Sequence, residues 1–80
     1  MTMKFTVYSK SNCPYCSKVE RLLQLTNMEY DIKKLEEDFT RDEFYTQFGR
    51  KSTFPRVLLD GKLIGGCTET LQYFSENKII

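Results

Sequence analysis

The sequence contains no histidine, and this absence excludes several kinds of active site. Paired Cys–His and Ser–His nucleophiles both need an imidazole as their base, so neither arrangement is available. Metal sites with imidazole ligands are excluded for the same reason. If a thiol is activated in this protein, the activation must come from helix geometry, nearby cations or hydrogen bonds.

Long apolar runs are also missing, and cysteines are few. The N-terminal residues carry no extended hydrophobic stretch, so we expect neither a signal peptide nor a membrane span. Three cysteines, two of them three positions apart, do not resemble the disulfide framework of a secreted mini-protein. With 40% hydrophobic and 29% charged residues, residues 1–80 are predicted to form a single globular, cytoplasmic domain with a working dithiol.

Charge is nearly balanced overall but unevenly distributed. The net charge is +1, yet residues 29–43 carry seven acidic and three basic residues, a local −4 that leaves +5 elsewhere. Much of the positive charge flanks the motifs described below, on Lys10, Lys18, Arg21, Arg50, Lys51 and Arg56. Two interpretations stay open: an ordinary solvated surface, or a basic rim that attracts anionic thiol substrates. The pattern does not indicate a nucleic-acid partner.

The most informative segment is Cys13-Pro14-Tyr15-Cys16. Residues 4–9 alternate in the manner of a strand, and the apolar spacing over residues 15–26 predicts a helix. Pro14 suits the first turn of that helix, where its missing N–H is harmless. A C-x-x-C at a strand–helix junction in a small chain indicates thiol–disulfide exchange.

The two thiols of this motif are predicted to differ. Cys13 lies at the helix start, where free N–H groups and the helix dipole stabilise a thiolate, and Lys10 adds a nearby cation. Cys16 lies one turn further in and should stay a buried thiol until it resolves a mixed disulfide. Two other interpretations are a zinc clip, for which the chain offers too few ligands, and a pair of incidental core cysteines.

The rest of the chain alternates between strand and helix patterns. After the first helix, which Asn27 ends, the patterns predict a strand over 28–35 and then a helix that runs from the Thr40/Glu43 capping box to Gly49. A hairpin that turns at Asp60-Gly61 follows, and then a helix over 68–77. The order β-α-β-α-β-β-α predicts an α/β fold in which a parallel first pair and an antiparallel hairpin form a four-stranded mixed sheet flanked by helices.

Three motifs spread over the chain resemble those of the glutaredoxin family. They are Lys10 with Cys13-Pro14-Tyr15-Cys16, then Thr53-Phe54-Pro55, similar to the family's Thr-Val-Pro, and Gly65-Gly66-Cys67-Thr68-Glu69, similar to its Gly-Gly-Cys-Asp/Ser-Asp. The third motif is the discriminating one, because it resembles the family's glutathione-binding element. The resemblance implies a thioredoxin-like (glutaredoxin) fold and a glutathione-dependent disulfide oxidoreductase with a Cys13–Cys16 redox disulfide.

The resemblance also implies a glutathione-binding site. Its residues would be Lys10, Tyr15, Arg41, Thr53, Phe54, Pro55, Gly66, Cys67, Thr68 and Glu69. In the family the proline of the second motif is cis, and the backbone of the preceding residue, here Phe54, pairs with the cysteinyl part of glutathione. The alternative is a trans Pro55 that opens an edge strand. The phenyl ring in place of valine should enlarge the groove wall, and the backbone of Cys67 should matter more than its thiol.

The two ends of glutathione would be held by different groups. By resemblance, the start of the last helix, capped by Thr68, binds the γ-glutamyl carboxylate, and Glu69 pairs with the α-amino group. Lys10 and Arg41 would meet the glycyl carboxylate, and Tyr15 would flank the sulfur. The simpler alternatives are that Thr68 is only a helix cap, Glu69 only a partner of the helix dipole, and Tyr15 only an exposed aromatic.

The implied reaction needs no bound cofactor, metal or flavin. Cys13 attacks a protein disulfide or a protein–glutathione mixed disulfide, and free glutathione, the co-substrate, restores the thiols. The expected partners are glutathione and disulfide-containing or glutathionylated proteins, with ribonucleotide reductase as a candidate; no nucleic acid and no membrane is expected, and the protein should be a monomer. Two alternatives stay open: a redoxin reduced by thioredoxin reductase, and a carrier of an iron–sulfur cluster ligated by Cys13 and glutathione.

Overall fold

The fold is known from a computed structural model that describes residues 4–26 and 28–77. The elements in chain order are β1 (Lys4–Ser9), α1 (Pro14–Gln24), β2 (Glu29–Lys34), α2 (Arg41–Phe48), β3 (Arg56–Leu59), β4 (Lys62–Gly65) and α3 (Cys67–Glu76). The predicted order is confirmed, and the predicted bounds differ by one or two residues. Asn27, predicted to end the first helix, lies outside the described residues. Within these ranges no helix has the length and hydrophobicity needed to cross a membrane.

The four strands form one mixed sheet in the order β2-β1-β3-β4. β1 pairs with β2 in parallel and with β3 antiparallel, and β3 pairs with β4 antiparallel. Asp60 and Gly61 join β3 to β4 with positive φ angles of 51° and 87°, which are the angles of a tight turn matched to the twist of a hairpin. The predicted sheet and hairpin are therefore confirmed.

One face of the sheet carries the main core. Phe5 and Val7 alternate along β1 and are fully buried, as the period-2 pattern predicts. They pack against Val19 and Leu23 of α1 and against Phe74 of α3. The Phe5 and Phe74 rings meet edge to face at 5.3 Å, a favoured aromatic geometry. This core fixes α1, and with it the C-x-x-C motif, against the end of β1.

The opposite face carries a second cluster, which we call the aromatic cluster. Its members are Tyr8, Phe39, Phe44, Phe48 and Phe54. Tyr8 alternates with the buried residues of β1, so its ring leaves the sheet on the side where α2 lies. Phe44 is the innermost member, with 1% of its surface exposed. The aromatic cluster therefore anchors α2 to the sheet beside the C-terminal end of β1.

The caps of α2 and α3 differ in how well the sequence predicted them. Thr40 accepts a hydrogen bond from the Glu43 N–H at 3.2 Å, and the Glu43 carboxylate accepts one from the Thr40 N–H at 3.0 Å. This confirms the capping box. The prediction that Thr68 caps the last helix is wrong, because α3 begins at Cys67 and Gly66 takes the cap position with an extended backbone. Thr68 lies within the first turn.

Candidate active site

The Cys13–Cys16 pair lies at the N-terminus of α1. Cys13 is the cap residue, with an extended backbone (φ −115°, ψ 103°), and Pro14 follows it in the first turn. The two Sγ atoms are at disulfide bonding distance, with 5.2 Å between the Cα atoms. The Cys16 N–H donates to Cys13 Sγ at 3.2 Å. A thiolate at Cys13 would accept the same bond, and the first turn holds no acidic residue to oppose the charge.

Both cysteine residues are largely buried, and Cys16 more so. Cys13 is 8% exposed and Cys16 is 2% exposed. The predicted difference in burial is therefore confirmed, although Cys13 itself is less open than the end of a helix suggests. Two grooves lie beside the motif, and Cys13 lines the first of them.

The first of these, here called the cationic groove, lies between α1 and α2. It encloses about 350 Å³. Its lining consists of Lys10, Asn12, Cys13, Pro14, Tyr15, Arg41, Tyr45, Ser52, Thr53 and Phe54. Lys10, directly after β1, and Arg41, at the start of α2, give this groove two cations, and Cys13 lines it too.

The second, here called the α3 groove, runs from the Phe54–Pro55 peptide to the start of α3. It encloses about 190 Å³ and is lined by Tyr15, Thr53, Phe54, Pro55, Arg56, Gly66, Cys67, Thr68 and Glu69. The Phe54–Pro55 peptide bond is cis, as the resemblance implied. The two grooves share Tyr15, Thr53 and Phe54, so together they form one continuous trough past Cys13.

Glycines 65 and 66 shape the far end of this trough. Gly65 has a φ of +136°, and a Cβ added there would lie 2.7 Å from Glu69 Cβ, closer than non-bonded carbons approach. Only glycine tolerates both this positive φ angle and the close approach of the Glu69 side chain. The Gly66 N–H donates to Glu69 Oε1 at 3.1 Å. Glu69 is therefore held against the turn, and its second carboxylate oxygen has no hydrogen-bond partner within residues 4–26 and 28–77.

Comparison with known proteins agrees with this geometry. The family profile described as glutaredoxin matches residues 5–64. The chain belongs to the glutaredoxin family. It is 32% identical over 77 residues to a glutaredoxin of Ricinus communis, covering 92% of this chain and 76% of the relative. Membership together with the cysteine pair makes the protein a thiol–disulfide oxidoreductase with a thioredoxin-like fold.

Solved glutaredoxin structures superpose on nearly the whole chain. Glutaredoxin 1 from Francisella tularensis, complexed with cacodylate, has a TM-score of 0.77 at 26% identity and covers 96% of both chains. A buckwheat glutaredoxin–glutathione complex has a TM-score of 0.77 at 28% identity, with 94% of this chain and 71% of the other covered. The predicted α/β fold is thus shared with the family.

Phe54 departs from the family's Thr-Val-Pro pattern, and its ring lies against Phe44, Phe39 and Lys10. Its ring lines both grooves. It also stacks on Phe44 with 4.2 Å between centroids and 13° between planes. Lys10 Nζ lies over the ring, 5.4 Å from its centroid. Phe54 therefore joins the trough to the aromatic cluster, a link that no sequence pattern indicated.

The third cysteine, Cys67, lies between the α3 groove and the main core. It is 8% exposed and packs with the core residues around Phe5 and Phe74. Burial is the main cause that raises the pKa of the Cys67 thiol. The positive charge of Lys18 lowers this pKa by a smaller amount, and the negative charge of Glu69 raises it. The raised pKa favours the protonated form of the Cys67 thiol.

The structure brings together every residue that the sequence singled out for the site, and it adds others. All ten residues of the implied glutathione site line one groove or the other. The residues missed are Asn12, Tyr45, Ser52 and Arg56. Tyr45 follows Arg41 by one helical turn, so a helical projection of α2 predicts that they share a face. In residues 4–26 and 28–77, no three Cys, Asp or Glu side chains gather closely enough to hold a metal ion.

Proposed function

We propose that this protein is a glutathione-dependent oxidoreductase that reduces protein disulfides and glutathione mixed disulfides through Cys13 and Cys16. The single observation that carries the proposal is the set of charged groups at the two ends of the trough that Cys13 lines. One end offers the cations Lys10 and Arg41, and the other offers the carboxylate of Glu69 beside the start of α3. Few small thiols carry an anionic group at one end and a cationic group at the other to match these charges.

Glutathione matches this arrangement group by group. Its glycyl end carries a single carboxylate, which suits two cations. Its γ-glutamyl end carries an ammonium and a carboxylate, which suit Glu69 and the N–H groups of the first turn of α3, because those groups have no partner within the helix. Between them, the backbone of Phe54 can pair with the cysteinyl residue in the manner of a short added strand. A glutaredoxin–glutathione complex is known for the buckwheat relative.

The chemistry follows from the difference between the two thiols. The Cys13 thiolate attacks one sulfur of a mixed disulfide, a new bond forms between the Cys13 sulfur and glutathione, and the protein thiolate leaves and takes up a proton. A second glutathione thiolate then attacks the bound glutathione sulfur, which releases oxidised glutathione and restores the Cys13 thiolate. With a protein disulfide, Cys16 attacks the mixed disulfide on Cys13, and the Cys13–Cys16 bond formed is later reduced by two glutathione molecules.

The choice of reductant tests the proposal directly. Oxidised protein should be turned over by NADPH, glutathione reductase and glutathione, with reduction followed through NADPH absorbance. NADPH with thioredoxin reductase should reduce it much more slowly, because the charged ends of the trough match the two ends of glutathione and not the surface of that enzyme. Equal or faster turnover by thioredoxin reductase without glutathione would overturn the proposal. Brown protein with visible absorbance after anaerobic purification would favour a carrier of iron–sulfur clusters.

Glu69 provides a more local test. Glu69→Gln retains an oxygen that can accept from the Gly66 N–H but removes the charge that faces the ammonium of glutathione. We expect KM for a glutathione mixed disulfide to rise about tenfold with little change in kcat, the typical value of a charged hydrogen bond. Glu76→Gln, at the other end of the same helix, is the matched control and should leave KM unchanged. Equal KM values for the two variants would remove Glu69 from the site.

Three further expectations from the sequence stay predictions. They are the cytoplasmic location, the monomeric state and the identity of the protein clients, among them ribonucleotide reductase.

A further inference from the structure

The Lys10 side chain lies over an aromatic ring that is itself fixed. Lys10 Nζ is 5.4 Å from the centroid of the Phe54 ring, within the range of a cation–π contact. The Phe44 ring is nearly parallel to that of Phe54 at 4.2 Å and covers one of its faces. The Phe39 ring lies beside both rings, with 6.1 Å between its centroid and that of Phe54. Phe44 is almost completely buried, so the Phe54 ring that stacks on it cannot move without disturbing the aromatic cluster.

This contact matters because, in the part of the chain that the structure describes, the Lys10 side chain makes no hydrogen bond or ion pair. It is an exposed residue directly after β1, and a lysine on a flexible four-carbon stem samples many rotamers. Lys10, Phe54 and Cys13 all line the cationic groove. A ring that attracts the ammonium concentrates these rotamers on the groove side, where the charge acts on anions approaching Cys13.

We propose that the Phe54 side chain is a positioning residue, which holds the Lys10 ammonium at the cationic groove and so increases the reactivity of Cys13 toward anionic substrates. Valine, the residue of the family's Thr-Val-Pro pattern, has no π face and cannot perform this role. The effect on glutathione rests on the proposed function, whereas the effect on other anions does not. Arg41 remains as the second cation of the groove, so the loss of the ring should weaken the selectivity for anions rather than abolish it.

Two alkylating reagents of similar size measure this selectivity without glutathione. Iodoacetate is an anion and iodoacetamide is neutral, so the ratio of their rates at Cys13 reports the local positive charge, while differences in thiolate content cancel. The rates would be followed on the reduced protein, with the modified residue identified by peptide mass spectrometry. In Phe54→Leu we expect the ratio of the iodoacetate rate to the iodoacetamide rate to fall about two- to fivefold. In Phe54→Tyr, which keeps the ring, it should stay at the wild-type value.

Two controls separate positioning from packing. Phe48→Leu removes a ring of the aromatic cluster that contacts Tyr8 and Phe44 but lines neither groove, and it should keep the wild-type ratio. In a Lys10→Met background, Phe54→Leu should cause no further decrease, because the cation that the ring positions is gone. Phe54→Met supplies a second variant without a ring if Phe54→Leu does not fold, as judged by circular dichroism.

The proposal is overturned if Phe54→Leu keeps the wild-type ratio, if Phe54→Tyr or Phe48→Leu loses as much as Phe54→Leu, or if the loss persists without Lys10. A kinetic measurement adds the link to glutathione: in Phe54→Leu, KM for a glutathione mixed disulfide should rise about two- to fivefold with kcat within about twofold. A lowered alkylation ratio with an unchanged KM would support the positioning role and contradict the glutathione-dependent function instead.

Discussion

Replacing Cys13 with serine should abolish disulfide exchange with every substrate. A serine hydroxyl is not ionised at neutral pH and cannot form the mixed disulfide through which all exchange proceeds. We expect the rate to fall by at least about a thousandfold, to the background of the free thiols. The measurement is the glutathione-coupled reduction of a small mixed disulfide and of a protein disulfide, each compared with the wild-type protein.

The same substitution at Cys16 is the matched control, because it alters the other sulfur of the motif. Cys16→Ser should retain reduction of glutathione mixed disulfides, where Cys13 alone exchanges with glutathione, and lose most reduction of protein disulfides, where the mixed disulfide needs an internal thiol to resolve it. Loss of both activities in Cys16→Ser would show that the assigned roles of the two thiols are wrong.

The second large effect concerns stability. Phe44→Ala should lower the free energy of unfolding by about 3–5 kcal/mol, the usual cost of deleting a buried aromatic side chain. Phe44 stacks on Phe54, contacts Tyr8 and Phe39, and is 1% exposed. A domain of this size has little stability to spare, so much of the variant should be unfolded at 37 °C. Urea titration followed by circular dichroism measures the change.

Leu25→Ala is a suitable comparison for this prediction. Leu25 is also a large apolar residue, but it is 73% exposed at the end of α1. Its truncation should change the free energy of unfolding by no more than about 0.5 kcal/mol. Similar losses in Phe44→Ala and Leu25→Ala would mean that the aromatic cluster does not stabilise the fold.

Features that depend on neighbouring residues were the most predictable from the sequence. The hairpin at Asp60-Gly61 follows from the positive φ angles that the turn requires, and the cap of α2 follows from the three-residue spacing of Thr40 and Glu43. The residues of the trough were predicted through the resemblance to the family, because its three motifs lie where α1, the cis-proline loop and α3 begin.

Features that depend on distant packing were not predictable. Lys10, Phe44 and Phe54 are separated by ten or more residues, and their contacts exist only once α2 lies against the sheet. The cap of α3 was misassigned for a related reason. Threonine is a good capping residue by type, but the conformation of the Gly65-Gly66 turn starts the helix earlier and leaves the role to Gly66.

The position of Cys67 bears on which sulfur pairs with Cys13. A third reactive sulfur in the active site would form a disulfide with Cys13 in place of Cys16 and would leave the Cys16 thiol reduced. Burial raises the pKa of the Cys67 thiol, so a smaller share of it is the reactive thiolate at a given pH. Together with the bonding distance between Cys13 and Cys16, this favours Cys16 as the sulfur that pairs with Cys13.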